Sequence, residues 1–352
     1  MDTESVDCRV CGVKDATLLF SSWDMWSGAK KEDRRSFQYV RCRGCGLVYL
    51  NPRVRPSEVG KFYTGDYVSH SDASRTVTPS RPATPGKRRT LPRWLRVRTW
   101  LRMRFEHARN PRLPSGAVTR FLVALFRRTR FAKGGPLLFP GDGLELLDVG
   151  CGVGRLLARY RDLGWTVAGV EPSANAVKTC LERQLNVRQG LLKASDWGRA
   201  RFDAVVLIHV FEHIPEPREL LGEVRDVLKP DGILYMAMPN ERSVAARLFR
   251  KYWIGADVPR HYYLYGPATL SRLLVEEGFE VIEWYTLGST SGFTAALEFW
   301  MRERLGIDFR RDAVRKHWIA TYLSLPFTRL SDWLSLGDNI HVLARKPAGP
   351  PS

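Results

Sequence analysis

The most constraining stretch of this chain is a glycine-dense turn set between two regular elements. An apolar run over residues 144–149 carries Asp148 near its end and leads directly into Gly150-Cys151-Gly152-Val153-Gly154. Three glycines in five residues fit neither a helix interior nor a strand interior; they suit a sharp turn whose backbone approaches a ligand closely. Residues 155–163 then follow a helical pattern, and residues 165–170 form a second apolar run that ends at Glu171. Strand, glycine turn, helix and strand in this order imply a parallel sheet with crossover helices, with a nucleoside bound beyond the carboxyl ends of the strands. Glu171 lies 21 residues after Gly150, where an acid accepts hydrogen bonds from both ribose hydroxyls.

A nicotinamide dinucleotide is the obvious competing ligand, and two details count against it. The third glycine comes one residue too early for the G-x-G-x-x-G fingerprint. Asp148 would repel a pyrophosphate, whereas a ligand bearing an ammonium and a sulfonium would be attracted to it.

Further motifs follow in order. Leu146-Leu147-Asp148-Val149-Gly150-Cys151-Gly152-Val153-Gly154 resembles motif I of the class I S-adenosylmethionine-dependent methyltransferases. Phe202-Asp203-Ala204-Val205-Val206-Leu207-Ile208 resembles that family's fourth strand, and His209-Val210-Phe211-Glu212-His213-Ile214-Pro215 the loop after it. Leu228-Lys229-Pro230-Asp231-Gly232 resembles the turn before the fifth strand, over residues 233–238. Val258-Pro259-Arg260-His261-Tyr262-Tyr263 resembles the acceptor-side segment of a bacterial subgroup with an amino-terminal zinc ribbon, and residues 339–345 fit the last strand. The resemblance covers about residues 136–346 and the ribbon. It implies an α/β fold with a Rossmann-like seven-stranded methyltransferase sheet, helices on both faces, and a small zinc ribbon in front.

The resemblance also implies site residues. Asp148, Gly150, Gly152 and Gly154 would line the methionine part of S-adenosyl-L-methionine, and Glu171 would hold its ribose. The loop over residues 191–196 would flank the adenine. An acid common near its start is replaced by Leu191-Leu192-Lys193, which leaves Asp196 as the candidate there.

Cys8-Arg9-Val10-Cys11-Gly12 and Cys42-Arg43-Gly44-Cys45-Gly46 are two C-x-x-C-G knuckles. Two intervening residues let both thiolates reach one ion, and four thiolates complete a tetrahedral Zn²⁺ site with no open position. A structural zinc would supply much of the folding energy of so short a segment. A redox pair and unpaired thiols are the alternatives. Cys151 and Cys180 are expected to be free thiols.

The formal net charge of +18 comes almost wholly from one connector. Residues 75–135 hold 17 Lys and Arg and a single acid, Glu106. Residues 69–90 are rich in Ser, Thr, Pro and Arg and match a disordered linker. Val118, Phe121, Leu122, Leu125 and Phe126 then follow amphipathic helical spacing. This segment suits either an anionic membrane surface or nucleic acid, or a helix packed on the next domain with its arginines in solvent. The expected organisation is a zinc ribbon over 1–66, a basic, partly disordered linker over 67–115, and a methyltransferase domain over 116–346. That domain holds a helical insertion over 288–338, and a tail covers 347–352. The polar, acidic start and the sparse cysteines point to a cytoplasmic protein, with peripheral attachment at the inner membrane surface through the connector.

Methyl transfer is an in-line displacement that needs alignment and exclusion of water, and a base only where the acceptor is poorly ionised. His209, His213 and His261 are the catalytic candidates. Glu212 and His213 have a competing role as caps for a helix starting at Pro217 or as residues that hold the loop, and His261 as a packing residue. The expected acceptor is a small molecule, a sugar or glycan, or a lipid-linked compound. The alternatives are an RNA methyltransferase that uses the connector and a non-catalytic module that keeps the fold. The Asn/Asp-Pro-Pro-Tyr/Phe element of base-amine methylation is missing after the fourth strand. The insertion would serve as a lid, a dimer surface, a membrane-facing patch or plain packing. The oligomeric state stays open.

Overall fold

The computed structural model describes residues 1–27, 31–63, 141, 143–307, 314 and 317–349. The basic connector, the amphipathic stretch at 118–126 and the expected linker boundaries at 67 and 115 lie outside the described residues.

The central sheet has seven strands. In chain order they are β6 (Glu145–Val149), β7 (Thr166–Glu171), β8 (Asn186–Gln189), β9 (Phe202–Ile208), β10 (Leu228–Pro239), β12 (Glu280–Leu287) and β13 (Asn339–Arg345). Across the sheet the order is β12-β13-β10-β9-β6-β7-β8. The five strands from β10 to β8 are parallel, and β13 runs antiparallel to both of its neighbours. Successive side chains of a strand point to opposite faces, and both faces here are covered. Leu147, Val205, Leu207 and Met236 pack with Leu221, Val224, Leu270 and Leu274 of helices Pro217–Val227 and Pro267–Glu276. Leu146, Ala204, Val206 and Tyr235 face the other way, against Leu157, Tyr160, Val177 and Cys180 of helices Arg155–Arg161 and Ala174–Glu182. The expected sheet and its helical layers are both present.

The amino-terminal unit supplies β1 (Thr3–Glu4), β2 (Ala16–Trp23), β3 (Ser36–Cys42), β4 (Val48–Leu50) and β5 (Arg53–Val54). Its main sheet has four strands, and the fourth comes from elsewhere: β11 (Tyr263–Leu264) pairs with β4, Tyr263 opposite Tyr49 and Leu264 opposite Val48. The Leu50 N–H donates to the Tyr262 carbonyl at 2.9 Å. The amino-terminal unit therefore packs directly on the rest of the described chain. Cys8, Cys42, Leu47 and Tyr49 share one buried cluster with the strands of the central sheet.

Two buried arginines secure this union. Arg260 is 1% exposed and pairs with Asp257 Oδ1 at 2.7 Å and Asp24 Oδ1 at 2.6 Å, while its Nη1 donates to Phe62 O at 2.9 Å. Arg53 is 3% exposed and bonds Glu4, Glu216 and the Pro215 carbonyl. The Tyr39 hydroxyl adds a buried contact to the carbonyls of Ala256 and His261, at 2.5 and 2.7 Å.

The insertion forms two long helices, Thr290–Leu305 and Trp318–Trp333, between β12 and β13, close to the expected pair. Phe293 and Phe327 meet between them with ring centroids 4.5 Å apart. Tyr322, Leu323, Leu330 and Trp333 are exposed on the second helix. Among the described residues, no helix is long and apolar enough to cross a membrane.

Removing one partner of a buried charge cluster leaves the others uncompensated, at a cost of about 3–5 kcal/mol. Arg260→Ala strips Asp24 and Asp257 of their shared cation, so a loss of stability of that size is expected in urea denaturation. An unchanged midpoint would show that the guanidinium does not hold the two parts together.

Candidate active site

The glycine turn sits at the carboxyl end of β6. Gly150 has φ +72°, and a Cβ there would lie 2.4 Å from Val210 Cγ2, so the position admits only glycine. Gly152, at φ +53°, has nothing within 4 Å of its Cβ position and faces open space. Glu171 ends the neighbouring strand β7 and grips the turn. Its Oε2 accepts from Gly152 N and its Oε1 from Ser173 N, each at 2.9 Å. Asp148 is 3% exposed. Burial, then the nearby Glu171 and Cys180, push its carboxyl well above the usual range. Cys151 and Cys180 are free thiols, and the Cys180 thiol donates to the Gly152 carbonyl at 3.2 Å. Asp196 is exposed in the short turn Ala194–Asp196; no hydrogen bond or ion pair joins it to Asp148 or Glu171 among the described residues.

The second half of the site follows β9, directly beside the turn because Val210 packs on Gly150. His209 is exposed and adopts φ +54°, a left-handed conformation that costs a non-glycine residue energy and recurs at functional positions. Its Nδ1 lies 3.3 Å from Glu212 Oε1. Enclosure works against the charged imidazole, but the Glu212 carboxylate overcomes it, so the His209 pKa is raised. Glu212 is 1% exposed. Burial alone would raise its pKa; the hydrogen bond to His209 and the nearby His261 and His213 hold it at about 2.

His261 arrives from the segment after β10 and stands over the same carboxylate, with Nε2 4.0 Å from Glu212 Oε1 and 3.8 Å from Asp257 Oδ2. Its ring meets that of His213 edge-on, with centroids 4.5 Å apart. Burial, then His261, lower the His213 pKa to about 4. The three candidate histidines thus surround one buried acid. Glu212 does not cap the following helix, whose N-cap is Glu216, without a side-chain bond. Trp253 and Tyr262 are buried core residues. Sequence patterns missed Asp257 and Tyr63. The Tyr63 hydroxyl lies 2.9 Å from His213 Nδ1. The placement of Asp257 three residues before Arg260, at ion-pair spacing within one turn, was the available signal.

The four amino-terminal cysteines converge as their spacing predicts. Cys8 and Cys45 sulfurs are 3.5 Å apart, those of Cys11 and Cys42 3.4 Å, and all four lie within 4.8 Å of one another. A tetrahedral ion with bonds of about 2.3 Å separates its sulfurs by about 3.8 Å, so the set fits Zn²⁺. This cluster is separate from the histidines and leaves no ligand position for a substrate.

A family model described as a methyltransferase domain matches residues 119–283. A ubiquinone biosynthesis O-methyltransferase of Thiobacillus denitrificans is 30% identical over 160 residues, which cover 41% of this chain and 68% of that protein. The chain belongs to the class I S-adenosylmethionine-dependent methyltransferases. A second relative of the same name, from Caulobacter vibrioides, is 33% identical over 135 residues, 36% of this chain. The match spans about half, 52%, of that relative's length. The crystal structure of a SAM dependent methyltransferase from Archaeoglobus fulgidus is 22% identical, with 64% of this chain and 94% of that chain covered at a TM-score of 0.42.

The charge at the glycine turn is compatible with a cationic cofactor. Asp148 and Glu171 are two buried acids beside the open space over Gly152, an environment that favours a cationic ligand. A cation beside Asp148 favours its ionised form, so cofactor binding should release a proton. Calorimetry in buffers of different ionisation enthalpy should detect that proton. Gly152→Arg, which fills the open space, and Glu171→Ala, which frees the turn, should each weaken binding at least tenfold. Unchanged affinity in both variants would contradict this placement of the cofactor.

Proposed function

We propose that this methyltransferase methylates a hydroxyl oxygen of a small-molecule acceptor, such as a sugar, glycan or lipid-linked compound, positioned against His209. The supporting observation is the pairing of an exposed imidazole with a buried carboxylate, His209 with Glu212, at the strand end beside the glycine turn. The relatives carry the name O-methyltransferase, which agrees with an oxygen acceptor. A hydroxyl is a poor nucleophile until its proton is taken, and a positioned imidazole is the usual group to take it.

Bound S-adenosyl-L-methionine supplies a methyl group on a sulfonium, open to in-line displacement. Asp148, Gly150, Gly152 and Gly154 hold its methionine part, and Glu171 its ribose. Asp196 remains the candidate beside the adenine. His209 accepts the acceptor's proton, and Glu212 fixes the ring and compensates the charge it gains. His213 and His261 shape the floor under Glu212 and keep water from it. The cysteines bind one structural Zn²⁺ that shapes the knuckles next to β4, the strand on which β11 pairs.

The test is a cofactor-dependent screen of hydroxylated acceptors, sugars and lipid-linked glycans, with RNA alongside. A product methylated on oxygen is expected. His209→Ala should lower kcat by about 10²–10⁴-fold, the usual contribution of a positioned base, with cofactor affinity unchanged. Full activity in that variant, or methylation only of RNA, would refute the proposal. Cys42→Ser should remove one equivalent of zinc per chain by elemental analysis. Retention of that ion would exclude the cysteines as its ligands.

A further inference from the structure

Under His209, one carboxylate and two imidazoles face one another. The His261 Nδ1 lies 2.8 Å from the Gly255 carbonyl, and the His213 Nδ1 lies 3.1 Å from the Arg260 carbonyl. A carbonyl oxygen only accepts, so the His261 Nδ1 carries a proton and donates it, whereas the His213 Nδ1 also meets the Tyr63 hydroxyl at 2.9 Å, which donates to it or accepts from it. In a neutral His261 the other nitrogen, Nε2, then holds a lone pair. Neither Nε2 makes a hydrogen bond among the described residues, and Glu212 Oε2 is buried without a partner.

Ligand atoms of Glu212, His213 and His261 lie within 4.8 Å of one another. A buried carboxylate oxygen with no donor is costly. Asp257 does not relieve this, because an ionised carboxylate only accepts, here from Arg260 at 3.1 and 3.2 Å. Arg260 itself is held by Asp24 and Asp257.

We propose that Glu212, His213 and His261 bind one divalent transition-metal ion, separate from the ion of the cysteine cluster. The backbone carbonyls behind both rings are the support that metal-binding histidines regularly have, fixing tautomer and orientation. Two imidazoles and a carboxylate suit Zn²⁺, Mn²⁺ or Fe²⁺, whereas Mg²⁺ and Ca²⁺ prefer oxygen ligands throughout. The ion ties the segment after β9 to the acceptor-side segment before β11, and it holds Glu212 in place for His209. The three ligands are positioning residues for the base.

The full-length chain is stripped with a chelator, reloaded with Zn²⁺ and dialysed, and its metal content is measured. Two equivalents per chain are expected in the wild type and one in Glu212→Gln, a substitution that preserves shape and the contact with His209. Mn²⁺ reports the second site alone, because soft thiolate sites bind it poorly. Titration followed by electron paramagnetic resonance should show one Mn²⁺ bound per wild-type chain, and at least tenfold weaker binding in Glu212→Gln. The proposal is overturned if the wild type holds a single zinc and binds no Mn²⁺, a result that needs no variant to fold. It is equally overturned if Glu212→Gln keeps both equivalents. Neither measurement involves an acceptor, so its outcome is independent of the proposed hydroxyl methylation.

Discussion

A guanidinium withdrawn from water must find fixed partners, and the satisfaction of Arg260 organises much of this molecule. Its two acids come from opposite parts of the chain, Asp24 from the knuckle unit and Asp257 from the segment after β10. The same residue's carbonyl orients His213, and the next residue is His261. A buried ion pair of this kind adds little net stability compared with apolar packing, but it tolerates no misplacement. Its effect is to specify where the acceptor-side segment lies, and through that segment where two imidazoles meet Glu212.

The parts of the fold legible in the sequence are those whose side chains obey a short period. Strands Phe202–Ile208 and Asn339–Arg345 lie where the resemblance places them. Each is packed inside the sheet between two neighbouring strands, and most of its side chains are apolar. The knuckles were legible because C-x-x-C-G geometry is local. By contrast, Tyr263–Leu264 is a strand of two residues, too short to show any period, and it exists because β4 offers an unpaired edge. The burial of Arg53 and Arg260 was not legible either, since arginine is seldom fully buried and its partners lie far away in the chain.

The candidate site divides along the same line. Asp148, the glycines and Glu171 belong to one compact unit, so their meeting follows from order along the chain. His209, Glu212 and His213 are close in sequence, yet which of them faces solvent depends on the left-handed turn at His209. His261 joins them across about fifty residues, by way of β10 and the helix after it. Spacing alone does not reveal that three histidines share one carboxylate, nor that this carboxylate lies sealed beneath them. Asp196 shows the limit in the other direction, a residue named by position in its loop whose exposed side chain meets neither of the other two acids.

The borrowed fourth strand has an evolutionary consequence. A ribbon that folded by itself would be free to move between relatives as a module, leaving the catalytic part intact. Here its sheet is completed by Tyr263 and Leu264, immediately after the residues that floor the acceptor side. Exchange of the amino-terminal unit would break that pairing and shift His261 with it. The amino-terminal unit and the segment that carries His261 can therefore change only in concert.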